Sequence, residues 1–322
     1  MRMGLGLAVK VPRSGAEEAR RRLAGLGLLD RSRRIMRNGE FVYIPVTRPV
    51  ELGFEVVSVS LPVAEPKAPM FRASYDVVGS VAIVNDMDMD VENARRLAEL
   101  IMARHRRVRT VLQKVGEVSG VERVASFRVL AGDGVTETVY RESGCVYKLD
   151  VARVFFSPRL STERLRVAAQ VGENESVLDM FAGVGPFSIL IARRHPSTTI
   201  YAVEKNHAAC SYLLENIKLN KVEKQVKPFC GDAAEIVPQL DKQFNRVIMN
   251  LPHQSLKYLP LALSKCVSGA VIHLYVAEER EGEESVWERI KSVYAGLLLR
   301  ETRVVKEISP RMVIRVYDLV VG

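Results

Sequence analysis

The chain has 322 residues, 48% of them hydrophobic and 26% charged, a length suited to two or three domains and a composition ordinary for a soluble globular protein. Its 47 Lys and Arg against 38 Asp and Glu leave a net charge of +9, which favours polyanionic partners through counterion release. No apolar run reaches the roughly 18–20 residues of a membrane span, and Lys10 and Arg13 interrupt the N-terminus too early for a secretory signal.

A cytoplasmic location is therefore expected, with no membrane partner. Residues 1–64 combine a helical stretch at 16–26 with apolar strands at 41–44 and 56–59, a small α+β module. Ala64-Glu65-Pro66-Lys67-Ala68-Pro69 can propagate neither a helix nor a central strand and is read as a linker. The second segment, 71–170, opens with a strand at 77–84 broken by Gly79. A helix follows at 91–106, with Ala94, Leu97, Leu100 and Ile101 on one face. Strands at 108–115, 123–130, 135–141 and 146–156 come next, punctuated by glycines, and short turns predict mostly antiparallel pairing. Arg104, Arg106, Arg107, Arg109 and Lys114 crowd the end of that helix with no acid between them. This exceeds what a helix C-terminus needs and suggests nucleic-acid contact, the alternative being a solvated helix end.

From 171 to 322 the rhythm changes. Strands at 176–181, 199–204, 225–230, 246–250 and 270–277 alternate with helical stretches, predicting a parallel sheet covered by helices on both faces. Two last strands, 303–308 and 312–321, fit an antiparallel edge hairpin and bring the mixed sheet to seven strands. Cys145, Cys210, Cys230 and Cys266 lie far apart, with no Cys-x-x-Cys pair. That argues against a structural zinc and a disulfide framework, and for small hydrophobes in a reduced compartment. No metal is expected.

Successive strand ends carry the chemistry. The first runs Asp179-Met180-Phe181-Ala182-Gly183-Val184-Gly185 into a helix, a turn that lets a ligand approach the backbone. With an acid at the strand end and no third glycine, it is no pyrophosphate cradle. A methionine ammonium would be welcome there. Glu204, about twenty residues on, suits ribose hydroxyls. Asp232-Ala233 at the third tip suits the adenine amino group. Asn250, in Asn250-Leu251-Pro252, suits a planar amide-like base. Individually, Asp179 or Asp232 could be helix caps and Glu204 a surface charge; their order at four consecutive tips points to S-adenosylmethionine.

Three stretches then carry a resemblance: Lys148 to Arg164, with its Phe155-Phe156-Ser157-Pro158-Arg159-Leu160…Glu163-Arg164 core, Asp179 to Phe187, and Asn250-Leu251-Pro252. Over nearly the whole chain it resembles the archaeal and eukaryotic tRNA guanine-37 N1-methyltransferases. The resemblance implies an α/β fold: a class I, Rossmann-like methyltransferase domain with a seven-stranded mixed sheet, preceded by two smaller α+β domains. It implies methyl transfer from S-adenosyl-L-methionine to guanine N1 in the tRNA anticodon loop. Residues 1–64 would contact the tRNA elbow, while 71–170 and 171–322 grip the anticodon stem-loop; a monomer is expected.

Guanine N1 carries a proton at neutral pH, so a carboxylate base must remove it and a guanidinium can stabilise the charge arriving on O6. By resemblance Glu163 is that base, Arg123 the O6 partner and Asn250 the residue orienting guanine. Cofactor contacts fall to Asp179, Phe181, Gly183, Gly185, Glu204, Asp232, Ala233 and Asn250. Glu163 could instead pair with Arg159 or Arg164, and Arg123 could be a surface cation. Arg159 and Arg164 are assigned to phosphates or the flipped nucleotide's surroundings, and Phe155, where relatives often carry tyrosine, to stacking. His253 is read as a rim residue. Rival readings are an aminocarboxypropyl transferase of wybutosine biosynthesis, a branch that methylates a tricyclic guanosine, and a non-catalytic tRNA-binding protein. Against the first stands Ser157-Pro158-Arg159-Leu160, where that family typically has Ser-x-Gly-Asn.

Overall fold

The computed structural model describes residues 3–30, 32–63, 74–116 and 126–322; the predicted linker at 64–69 lies outside them. The chain divides into two compact units, Met1–Arg72 and Ala73–Gly322.

In the first unit β1 (Met3–Pro12), α1 (Ala16–Gly25), β2 (Met36–Asn38), β3 (Phe41–Pro45) and β4 (Glu55–Pro62) follow one another. The strands form an antiparallel sheet of order β2-β3-β1-β4. Val9 and Val11 of β1 bury against Ala19 and Leu23 of α1, with Val42 and Ile44 completing the core. Sequence reasoning missed β1. Two glycines sit where side chains would mark its alternation, and Arg33 lies across them, its Nη1 donating to Gly4 O at 2.7 Å.

The second unit opens with β5 (Tyr75–Val78) and β6 (Val81–Val84). The single strand expected at 77–84 is thus a hairpin. Gly79 turns it with φ +58°, and a Cβ there would meet Val139 O at 2.4 Å. Helix α2 (Val91–Arg104) starts where Asp90 accepts Asn93 N at 3.0 Å, and buries Ala94, Leu97, Ala98 and Ile101. Leu100 lies off that face, 37% exposed. Strands β7 (Thr110–Lys114) and β8 (Phe127–Gly132) complete a sheet of order β5-β6-β7-β8. Its one parallel pair, β6–β7, spans the α2 crossover.

The next hairpin, β9 (Glu137–Glu142) and β10 (Cys145–Asp150), ends six residues short of the predicted Phe156. Two asparagines on the later helix α5 (His207–Leu219) and at its end bind β10 as a neighbouring strand would. Asn216 accepts Lys148 N at 2.7 Å and donates to Lys148 O at 3.0 Å; Asn220 does the same for Val146, at 2.8 and 2.6 Å. Tyr147 and Leu149 consequently share a core with Val167, Phe187 and Leu213. Strand β10, from the stretch read as a middle domain, is thereby packed into a core shared with the helices that carry those residues.

The large sheet takes β11 (Ser176–Asp179), β12 (Thr199–Glu204), β13 (Val226–Cys230), β14 (Phe244–Met249), β15 (Cys266–Glu279), β16 (Leu297–Glu307) and β17 (Met312–Val321) in the order β13-β12-β11-β14-β15-β17-β16. The first five run parallel, and β17 is antiparallel to both β15 and β16. On one face lie α3 (Ser161–Ala169), α4 (Pro186–Arg194) and α5; on the other, α6 (Ala233–Gln239), α7 (Ser255–Leu263) and α8 (Glu283–Val293). The order reverses between β11 and β14, and such a switch opens a crevice at the carboxyl ends of the strands.

One expectation fails here. Cys210 of α5 and Cys230 of β13 form a disulfide, with Cα atoms 5.7 Å apart. Twenty residues of separation is one helix-to-strand return, which brings the thiols side by side. Cys145 and Cys266 are free. No helix among the described residues is long and apolar enough to cross a membrane.

Candidate active site

A cavity of about 310 Å³ opens at the carboxyl ends of β11 to β14. The turn after β11 forms one edge. Gly183 and Gly185 both have positive φ, +58° and +89°. A Cβ on Gly185 would lie 2.6 Å from Leu213 Cδ1 and 2.9 Å from Ile189 Cδ1. Gly185→Ala is therefore expected to destabilise the fold by about 1–3 kcal/mol, read as a lower melting temperature without ligand; an unchanged value would mean the turn relaxes freely.

Glu204 is fastened to that turn. Its Oε2 accepts Gly183 N at 2.6 Å and its Oε1 accepts Asn206 N at 2.7 Å, while burial raises its pKa. Asp232 caps α6 through Ala234 N at 2.8 Å and accepts Lys205 Nζ at 2.6 Å, the lysine holding its carboxyl below the usual range. It is cap and cavity wall together. Phe181 meets Tyr258 edge-on at 5.1 Å, and with Ala233 forms an apolar wall. Asn250 also lines the cavity, on a tip braced by Ser255 Oγ, which donates to Met249 O at 2.8 Å.

Not every expected contact faces the cavity. Gly185 and Asp179 are absent from its lining. Asp179 is 1% exposed; its Oδ2 accepts Ser188 Oγ at 2.7 Å, and its Oδ1 has no partner. Burial lifts its pKa to about 7. An orphaned carboxylate oxygen at the root of the glycine turn fits a cationic ammonium group, and Glu204, Asp232 and the aromatic wall fit the rest of an adenosine-bearing cofactor. Lys205, Asn206, Gln254, Lys257 and Tyr258 also line the cavity and were not foreseen. Lys205 and Asn206 could have been found, since they directly follow Glu204 at a strand tip.

Glu163 is likewise absent from the lining and 3% exposed. Its partner is neither Arg159 nor Arg164. Arg166, one helical turn on, donates from Nε to Oε2 at 2.9 Å and from Nη2 to Oε1 at 2.7 Å, and Tyr275 OH donates to Oε1 at 2.8 Å. Arg166 continues to Asp318, Asp318 to His273 Nδ1 at 2.7 Å, and His273 Nε2 to Arg246 Nη1 at 2.8 Å. Because Arg246 can only donate, His273 accepts at Nε2 and donates from Nδ1, the neutral tautomer. Burial lowers the pKa of His273 in the same sense.

Arg164 is a correction. It is 1% exposed, donates to both Glu142 oxygens at 2.7 and 2.6 Å and to Ser157 O, and lies over the Phe156 ring. Its guanidinium braces the Phe-Ser-Pro loop from inside and has no face for a phosphate. Arg159 stays at the surface, 2.6 Å from Asp76. Arg104, Arg106, Arg107 and Arg109 are all exposed, Arg109 paired with Asp133 at 2.6 Å. Phe155 is 43% exposed and lines the cavity. His253 is exposed beside a neighbouring cavity. Arg123 lies outside the described residues. Among the described residues no His, Cys, Asp and Glu cluster could hold a metal.

Comparison with known proteins shows what the chain is similar to. Residues 138–297 match a model described as the TRM5/TYW2 methyltransferase domain. Residues 8–55 match the tRNA methyltransferase 5 N-terminal domain, and 60–136 a TYW2 N-terminal domain. The tRNA (guanine(37)-N(1))-methyltransferase Trm5b of Pyrococcus abyssi is 41% identical over 89% of this chain and 89% of its own. A tRNA(Phe) (4-demethylwyosine(37)-C(7)) aminocarboxypropyltransferase of Methanocaldococcus jannaschii is 34% identical over 73% of this chain and 93% of its own. In the solved complex of aTrm5 with tRNALeu, the protein superposes with a TM-score of 0.70 at 32% identity, covering 98% of this chain and all of that one.

Proposed function

Since the chain belongs to the TRM5/TYW2 methyltransferase family, we propose that it transfers a methyl group from S-adenosylmethionine to N1 of guanosine 37 in tRNA. The observation that carries this reading is coverage. The match to a guanine-37 methyltransferase includes the N-terminal unit and the cavity-bearing unit together, at 41% identity. The aminocarboxypropyl reading has support over less of the chain.

Bound S-adenosylmethionine supplies an electrophilic methyl group on its sulfonium. The chain's part is to bind, orient and deprotonate. Glu204 would take the ribose hydroxyls and Asp232 the adenine amino group, beside the apolar wall of Phe181, Tyr258 and Ala233. Asp179 neutralises the methionine ammonium. Asn250 holds guanine by paired hydrogen bonds, Glu163 removes the N1 proton and Arg123 stabilises the charge on O6. Glu163 is now buried, so RNA binding has to expose it. Arg159 and the exposed Arg104, Arg106, Arg107 and Arg109 take phosphates. Residues 1–64 contact the tRNA elbow, and the remainder holds the anticodon stem-loop as a monomer.

The test is a labelled-cofactor assay on a tRNA transcript with G37 beside one with A37, followed by mass mapping of the product. N1-methylguanine at position 37, only in the first, is expected. A heavier aminocarboxypropyl adduct on a modified tRNA would transfer the assignment to the wybutosine enzymes, and binding without any product would overturn catalysis.

A further inference from the structure

Beside the cofactor cavity, the same unit holds a second one of about 100 Å³. Phe155 lines both, so the two lie a single side chain apart. Phe127 of β8 and Phe156 make the second cavity apolar, and Lys114 and Lys306 make it cationic. The Lys306 ammonium is 6.0 Å from the Phe155 ring centre. Asp76 and Asn85 add a carboxylate and an amide side by side. Asn85 Nδ2 donates to Asp76 Oδ2 at 2.9 Å, and Arg159 Nε donates to Oδ1 at 2.6 Å, so the carboxylate is fixed in orientation. An aromatic surface, a hydrogen-bonding pair and flanking lysines are what a nucleotide outside a duplex requires: a ring to stack on, polar groups for its base edge and cations for its phosphates.

Resting on the tRNA methyltransferase reading, we propose that this cavity receives the base of a nucleotide adjoining the target guanosine. Extruding a base towards the cofactor costs the stacking of its neighbours as well as its own. A slot on the other side of Phe155 returns that stacking to one neighbour, so the extruded conformation is held by two sites. The shared ring fits occupants that are consecutive in one strand.

The test uses the intact enzyme and full-length tRNA transcripts, either complete or abasic at position 36 or at position 38. Wild type, Phe127→Leu and Asn85→Ala are compared by kcat/KM for methyl transfer. One of the two abasic tRNAs is expected to lose about fivefold to a hundredfold with wild type, the range of one base–aromatic stack. Each variant loses part of that factor on complete tRNA and nothing more on that abasic tRNA, while KM for the cofactor stays unchanged. Losses that multiply independently, or abasic tRNAs as good as complete tRNA, would overturn the proposal. Should Phe127→Leu unfold, Asn85→Ala, at the end of β6, carries the test alone. Wild type that leaves complete tRNA unmethylated would instead sink the functional reading beneath it.

Discussion

Glu163→Gln is expected to lose methyl transfer by about a hundredfold to ten-thousandfold in single turnover, the usual contribution of a positioned base, while tRNA affinity stays within a few-fold. The substitution preserves shape and hydrogen-bonding length but removes the proton acceptor. Its side effect is calculable from the contacts. Arg166 loses one of three carboxylate partners and keeps Asp318 and Glu301. The amide oxygen can take the Oε1 place and accept from both Arg166 Nη2 and Tyr275 OH, but the amide nitrogen then faces the donor Arg166 Nε. A loss of about 1–3 kcal/mol in stability follows from one imperfectly satisfied buried group. Two readouts separate the roles. If Glu163 only anchors Arg166, the melting temperature drops and the rate at a permissive temperature survives; if it is the base, the rate collapses at temperatures where the protein is fully folded. A variant keeping more than a tenth of wild-type activity would remove Glu163 from the proposed mechanism.

The same residue shows what a sequence can and cannot convey. Asp179, Glu204, Asp232 and Asn250 could be singled out because each sits at the end of an apolar strand, and strand ends are marked locally by composition; the last three line the cavity and Asp179 lies buried outside its lining. The sheet itself was legible for the same reason, down to the closing hairpin. Glu163's surroundings were not. Tyr275 reaches it, and Asp318 reaches its partner Arg166, from strands more than a hundred residues away, and nothing near either residue signals the contact. Arg164 stood closer to the readable edge. Along α3 the buried positions are 163, 164, 167 and 168, a helical stripe that puts Arg164 on the inner face, but Arg159 and Arg164 look alike when read as charges. Asn216 on α5 and Asn220 at its C-terminal end, one turn apart, held a similar unused signal: two amides on one face of an apolar helix with a strand to satisfy. The cysteines misled because spacing in sequence was taken for distance in space.

Asp179→Asn is expected to stabilise the cofactor-free protein at pH 8 and to weaken cofactor binding at least tenfold. Burial raises the Asp179 carboxyl from 3.8 to about 7, and the charge of Glu204 adds to the effect. Between about pH 4 and 7 the folded chain therefore holds a proton that the unfolded chain has released. The stability this proton confers is complete below pH 4 and is lost as pH rises through 7. The difference amounts to about 4 kcal/mol at 1.36 kcal/mol per unit. Asparagine carries no such charge, so the gap in melting temperature between variant and wild type should open from pH 5 to pH 8, reaching several degrees in calorimetry without ligand. With S-adenosylmethionine present the order should reverse, because the ammonium pairs with the ionised carboxylate and the amide offers it no charge. A gap that stays constant across that pH range would show that Asp179 is already ionised in the folded protein without ligand. Equal cofactor affinities by titration calorimetry would show that the ammonium binds elsewhere.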